Sequence, residues 1–388
     1  MRRRTRATAP PNRLGFTLIE LLVVIVILGM LVGLLVPAVM NAMNTAKDAA
    51  VAAEIRALSQ GLAEFKTTFG AYPPSRIVVR EDGDYSSTGV LGTRTVAQLR
   101  RFWPRLQLST SGAPSGIPGG FYDFNGNGVG DTTTYILSGP ECLVFFLGGI
   151  PQGNNTSGWA MTGFSKNPLN PFQSAAVTTN RTVPMFEFNN SRLEANKSNG
   201  SVFPGYLDSL GKSADPNFQP FYCYFSAYGG VGYDPGDVDF SGAFTELTDD
   251  GVALIGAFKT SNAATPPTVG QIVIPSPSPN PYTNGPPVPT TAAGTLDTGS
   301  TAKSATWLNA QTFQIISAGR DRRFGIGGQY NATATTNRLP FVFADTGYVP
   351  NSFQTQQANA GVTSVTLGPE ARTGENDNLT NFSPGKLD

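Results

Sequence analysis

Residues 21–40 form an unbroken run without one charged or strongly polar side chain. At about 1.5 Å per residue, a helix of that length measures about 30 Å, the thickness of a bilayer's hydrocarbon core. A helix satisfies its own backbone hydrogen bonds, which lipid cannot, so the run predicts a membrane-spanning α-helix. Glu20 stands at its mouth. A carboxylate carried into hydrocarbon costs about 2–3 kcal/mol, so a charge placed there needs a partner. A secretory signal fits poorly. Its apolar core is shorter and is followed by small residues at the cut, whereas here the small residue, Gly15, comes first.

The hexapeptide Gly15-Phe16-Thr17-Leu18-Ile19-Glu20 resembles the processing site of type IV prepilins and type II secretion pseudopilins. The resemblance implies that prepilin peptidase cuts between Gly15 and Phe16 and that the new Phe16 amine is methylated. That amine keeps its positive charge, and Glu20 neutralises it within its own subunit or the next. Pro37 also matches the family, near the outer end of the apolar run, where these helices bend or locally melt in the filament. A proline inside a helix removes one hydrogen bond and crowds the preceding turn.

The implied product is a pilin-like structural subunit. The inner-membrane assembly machinery would join its helix to other pilin or pseudopilin subunits, in a type IV pilus or a type II secretion pseudopilus. The expected location is the cytoplasmic membrane, with one pass and the head outside, and then a periplasmic or cell-surface filament. The alternative is a membrane-anchored surface binding protein or adhesin that uses the signal without polymerising.

Charge supports this orientation. Arg2, Arg3, Arg4, Arg6 and Arg13 precede the cut, with no acid beside them, and arginines so placed hold a leader in the cytoplasm. Without those five, 22 basic side chains remain against 27 acidic ones. A mildly acidic body is a poor electrostatic partner for nucleic acid, so none is expected. The chain has no histidine. Ser-His-Asp and Cys-His catalysis and His-ligated zinc are therefore excluded. Adjacent acids such as Asp249 and Asp250 would point to opposite faces of a strand. No catalytic constellation emerges, and the chain reads as a structural protein rather than an enzyme.

The organisation predicted is α+β, with four parts. Residues 1–15 are the leader, 16–40 the transmembrane and assembly helix, 41–70 its amphipathic continuation, and 71–388 an extracytoplasmic head. In the continuation Met43, Ala46, Ala50, Ala53, Ala57, Gly61, Phe65 and Phe69 recur at helical steps, with Leu58 and Leu62 beside them. Gly70 and Tyr72-Pro73-Pro74 end it. By the pilin resemblance, this upper helix docks on an antiparallel sheet.

Strands are expected at residues 135–137, 219–228, 312–317, 341–343 and 363–367. Residues 143–147 (LVFFL) suit either a buried strand or a short helix, and similarity to a recurrent stretch of large-headed pilin-like proteins implies the helix. The Pro/Ser/Thr-rich residues 261–306 read as an exposed insertion, and the polar residues 375–388 as a surface tail.

Three features of the head carry candidate chemistry. Asp123, Asn125, Asn127 and Asp131 place oxygen side chains around three glycines, like the opening of an EF-hand calcium loop whose bidentate acid would fall at Thr134. Ca2+ is the cofactor this suggests, although such Asp-Asn-Gly clusters also make turns without metal. Asp237-Val238-Asp239-Phe240-Ser241-Gly242 repeats the opening. Cys142 and Cys223 fit a disulfide or, by their aromatic and aliphatic flanks, equally two buried thiols, and the thiols are preferred because sequence shows no proximity between them. Residues 315–325 resemble the carboxy-terminal loop of the major pseudopilins. Here Arg322 replaces a glycine, and the arginines around Asp321 point to a surface ion pair or subunit contact.

Overall fold

The computed structural model describes residues 17–195, 201–212, 219–227, 233, 281–284, 307–322, 324, 327–335, 338–339 and 374–387. Two compact units divide the chain, Met1–Lys47 and Asp48–Asp388. One helix, α1 (Leu18–Phe69), runs through both, and Pro37 does not interrupt it. Gly70, with a left-handed φ of 79°, ends it.

Within the second unit α1 buries Val51, Ile55, Leu58, Gly61, Leu62 and Phe65. This is not the stripe the alanines suggested. Ala50, Ala53 and Ala57 are exposed, and the buried line passes through the larger aliphatic residues. A Val, Ile or Leu gains about 1.5–3 kcal/mol from full burial, far more than an alanine, and so decides how the helix is rotated.

After the helix come β1 (Ile77–Arg80), α2 (Gly89–Phe102) and β2 (Thr134–Leu137), with β2 antiparallel to β1. Thr95 of α2 accepts the Val78 N–H at 3.1 Å and fixes β1 against α2. Next is α3 (Gly139–Gly148), all ten residues of which are buried. It settles the ambiguity of LVFFL in favour of a helix. Ser138 caps it, its N–H donating to Glu141 Oε2 at 2.7 Å and its hydroxyl at 2.9 Å, and Pro140 sits in the first turn. Ser138→Ala is expected to cost about 1 kcal/mol of stability, read from the urea midpoint.

The remaining strands are short: β3 (Pro151–Asn154), β4 (Gly158–Met161), β5 (Leu193–Ala195), β6 (Pro204–Tyr206), β7 (Cys223–Ser226), β8 (Tyr282–Thr283), β9 (Phe313–Ser317), β10 (Gly328–Gln329) and β11 (Leu379–Thr380). They do not form the single docking sheet expected. Among the described residues there are four two-stranded sheets and one three-stranded sheet, β11-β9-β7. All pairings are antiparallel except β10 with β8. The strands expected at 135–137, 219–228 and 312–317 appear as β2, β7 and β9. Those at 341–343 and 363–367 lie outside the described residues.

Aromatic rings fill the space between helices and strands. Phe65 of α1 meets Phe102 of α2 edge-on at 5.1 Å and Phe146 of α3 at 5.6 Å. Such pairs add about 0.5–1.5 kcal/mol beyond the area they bury.

Two sequence readings are corrected. Tyr282 and Thr283, inside the supposedly exposed insertion, are fully buried. The buried Gln314 side chain holds Tyr282 by accepting its N–H at 2.8 Å and donating to its carbonyl at 2.9 Å. The polar carboxy-terminal stretch also belongs to the core. Glu375, Asn378 and Leu387 are fully buried, and Asn381 accepts the Ile315 N–H at 2.9 Å. In both places side-chain amides supply backbone-like hydrogen bonds, so polar composition does not keep the segment outside.

Candidate functional site

From Leu18 to Met43 the large apolar side chains of α1 are exposed. Among the described residues α1 is the one helix long and apolar enough to cross a membrane, and none of its apolar stretch is buried inside the chain. A surface of that extent marks a lipid or protein contact.

The first turn of this helix shows how Glu20 is held. Its Oε2 accepts the Thr17 N–H and the Thr17 hydroxyl, each at 2.8 Å, and the Glu20 N–H donates to Thr17 Oγ1 at 3.3 Å. This is a capping box, with Thr17 as cap and Glu20 at the third helical position. The spacing Thr-x-x-Glu was the signal, and the sequence reading missed it while looking for a charge partner. Glu20 also lies near the positive end of the helix dipole. Gly15 and Phe16 lie outside the described residues. Pro37 stands within the unbroken helix.

The loop of residues 123–131 does not gather its four predicted ligands around one point. Asn125 Oδ1 accepts the Asn127 N–H at 3.0 Å, and Asn127 Oδ1 accepts the Val129 N–H at 2.7 Å. Asp131 accepts from the Thr133 N–H and the Tyr135 hydroxyl, both at 2.8 Å. These are the local turns that Asn and Asp build for themselves. Asp123 and Asn125 are buried, whereas Asn127 is exposed. Among the described residues no three Asp, Glu, His or Cys side chains group closely enough to hold a metal between them. The second acidic loop, at 237–242, lies outside the described residues.

Cys142 and Cys223 are buried thiols, so the disulfide reading does not hold. They sit in two different hydrophobic clusters. The Cys142 thiol donates to the Leu137 carbonyl at 3.6 Å and the Cys223 thiol to Phe221 at 3.7 Å.

The arginines near Asp321 also separate. Arg320 pairs with Asp48 of α1 at 3.2 Å, beside Lys386 at 2.9 Å. Arg322 donates to the carbonyls of Leu210 and Gly211. The backbone N–H groups of Arg320 and Asp321 donate to Asp377 Oδ2 at 2.7 and 2.9 Å. The surface ion pair expected around Asp321 is thus partly a clamp between α1 and the end of the chain.

No curated protein and no solved structure matches the chain. A family model described as the prokaryotic N-terminal methylation motif matches residues 10–36, which covers the hexapeptide and most of the apolar run. Over that segment the chain carries a prokaryotic N-terminal methylation motif, similar to that of type IV prepilins and pseudopilins.

Proposed function

We propose that the chain is a structural subunit of a type IV pilus or a type II secretion pseudopilus. Prepilin peptidase removes residues 1–15, the Phe16 amine is methylated, and the helix holds the protein in the cytoplasmic membrane with the head outside. The inner-membrane machinery then packs the helix among those of other subunits. One observation carries this reading: the methylation motif opens directly into a helix whose apolar surface is long enough to cross a membrane. Outside lipid, neighbouring helices would cover that surface. Nothing in the motif points to catalysis.

Processing is tested by the mass and first residue of the protein recovered from its own cells. The expected chain begins at N-methylated Phe16, lighter than the full sequence by its first fifteen residues. A chain that keeps its arginine leader would leave a membrane tether and no subunit.

The second reading, a surface binding protein that never polymerises, is favoured by one detail. The capping box gives Glu20 a use in an isolated helix, with no neighbour required.

A further inference from the structure

The loop of residues 123–131 contains the pair Asn-Gly twice, at 125–126 and at 127–128. Such a pair has a reactive geometry built into its connectivity. The backbone nitrogen of the glycine can close a five-membered ring on the asparagine side-chain carbon, and no Cβ stands in the way.

The two pairs sit differently. Asn125 is 8 % exposed, and Gly126 is packed so closely that a Cβ there would fall 1.8 Å from the Pro151 carbonyl oxygen. Asn127 and Gly128 are exposed, and Gly128, with a φ of 77°, has open space around it. Glu81 holds the loop near both ends. Its carbonyl accepts the Tyr122 N–H at 2.8 Å, and its Oε2 accepts the Asp131 N–H at 3.1 Å.

Around Asn127 the loop places the two groups that ring closure needs. The Gly128 N–H donates to Oδ2 of the buried Asp123 at 3.0 Å, so the nucleophile already faces a proton acceptor. Asn127 Oδ1 accepts the Val129 N–H at 2.7 Å, a donor aimed where negative charge develops during the attack. Burial pushes the Asp123 carboxyl up, which strengthens it as a base.

We propose that Asn127 converts itself, with water, into aspartate or isoaspartate, and that Asp123 is the base for the reaction. Asp123 Oδ2 takes the Gly128 amide proton as the nitrogen bonds to Asn127 Cγ, and the carbonyl electron pair moves onto Oδ1 beside the Val129 N–H. The Cγ–Nδ2 bond then breaks, and Asp123 returns the proton so that the amide leaves as ammonia. Water opens the cyclic imide. Breaking the new nitrogen–Cγ bond gives aspartate, and breaking the bond to the backbone carbonyl carbon gives isoaspartate. Nothing is oxidised or reduced. The product adds a negative charge to an exposed loop, so older copies of the head differ there from newer ones. Asn125, held away from water, is left unchanged.

The test incubates the full chain, recovered from membranes in detergent, at neutral pH and follows each asparagine by peptide mass and isoaspartate content. A positioned base contributes about 10²–10⁴-fold, so Asn127 in the folded chain should convert at least about tenfold faster than in a synthetic peptide of residues 121–133. Asn125 should lag far behind it. Asp123→Asn should bring Asn127 down to the peptide rate. The comparison of wild type with peptide needs no variant, and so decides the matter if Asp123→Asn does not fold. The proposal is overturned if Asn127 converts no faster in the folded chain than in the peptide, if Asn125 converts as fast as Asn127, or if folded Asp123→Asn keeps the wild-type rate.

Discussion

Glu20→Gln is expected to leave the protein folded, processed and in the membrane, and to exclude it from filaments. Two roles compete for this side chain. Held by Thr17, it caps α1, and glutamine serves equally well at that position of a capping box. Opposite the Phe16 amine of the proposed mature chain it would be a countercharge, which glutamine cannot replace. Removing one partner from a desolvated ion pair costs about 3–5 kcal/mol, because the other charge is stranded. Even the lower figure lowers incorporation by about a hundredfold.

The measurement is the ratio of variant to wild type in sheared filaments against the membrane fraction, with Glu20→Ala as companion. Alanine removes cap and charge together, and the lost cap adds about 1 kcal/mol to the cost. If glutamine assembles like wild type and alanine alone is defective, Glu20 is a cap and the polymer account loses its mechanism.

Glu54→Ala should cost the head about 3–5 kcal/mol. Glu54 projects from α1 into the head, where it accepts from the Arg192 guanidinium, from the Tyr206 hydroxyl at 2.9 Å and from the Tyr222 hydroxyl at 2.7 Å. Arg192 also lies over the Tyr206 ring at 4.3 Å. Alanine leaves the guanidinium and two hydroxyls without their acceptor in a largely buried setting.

Burial, followed by the Glu54 charge, pushes Tyr206 up to about 12, and burial holds Tyr222 well above the usual phenol range. Neither phenol can therefore ionise near neutrality to relieve the loss. Urea unfolding should show a lower midpoint with an unchanged slope. The double variant Glu54→Ala, Arg192→Met should recover part of the loss, since it removes the stranded charge. A loss below about 1 kcal/mol for the single variant would class the cluster with exposed pairs, which hold little together.

The Ser138 cap is a smaller effect, but it bears on the same question of how local signals combine. Ser138-Gly139-Pro140-Glu141 shows a signal that was present in the residues and went unused. Hydrophobic periodicity could not separate strand from helix in LVFFL, but a Ser three residues before a Glu, with Pro between, marks a helix start. Thr17-Leu18-Ile19-Glu20 is the same lesson at α1. Periodicity placed Leu58, Gly61, Leu62 and Phe65 on the docking face of α1 but continued it through exposed alanines instead of Val51 and Ile55.

The chain alone determined what depends on consecutive residues: the lipid-length helix, its charged mouth, the helix end at Gly70 and the strands of the β7–β9 pair. Each follows from side chains a few positions apart, where geometry is set by the backbone period. Tertiary structure decided the rest. It brought Glu81 to Asp131 across 50 residues and Glu54 to Tyr222 across 168. It also drew Tyr282 and Asn378, from segments that read as surface, into the core. Those outcomes depend on which distant donor finds which acceptor once water is excluded. That matching is absent from any local pattern, because a polar side chain reads as solvent-facing until its partner is known.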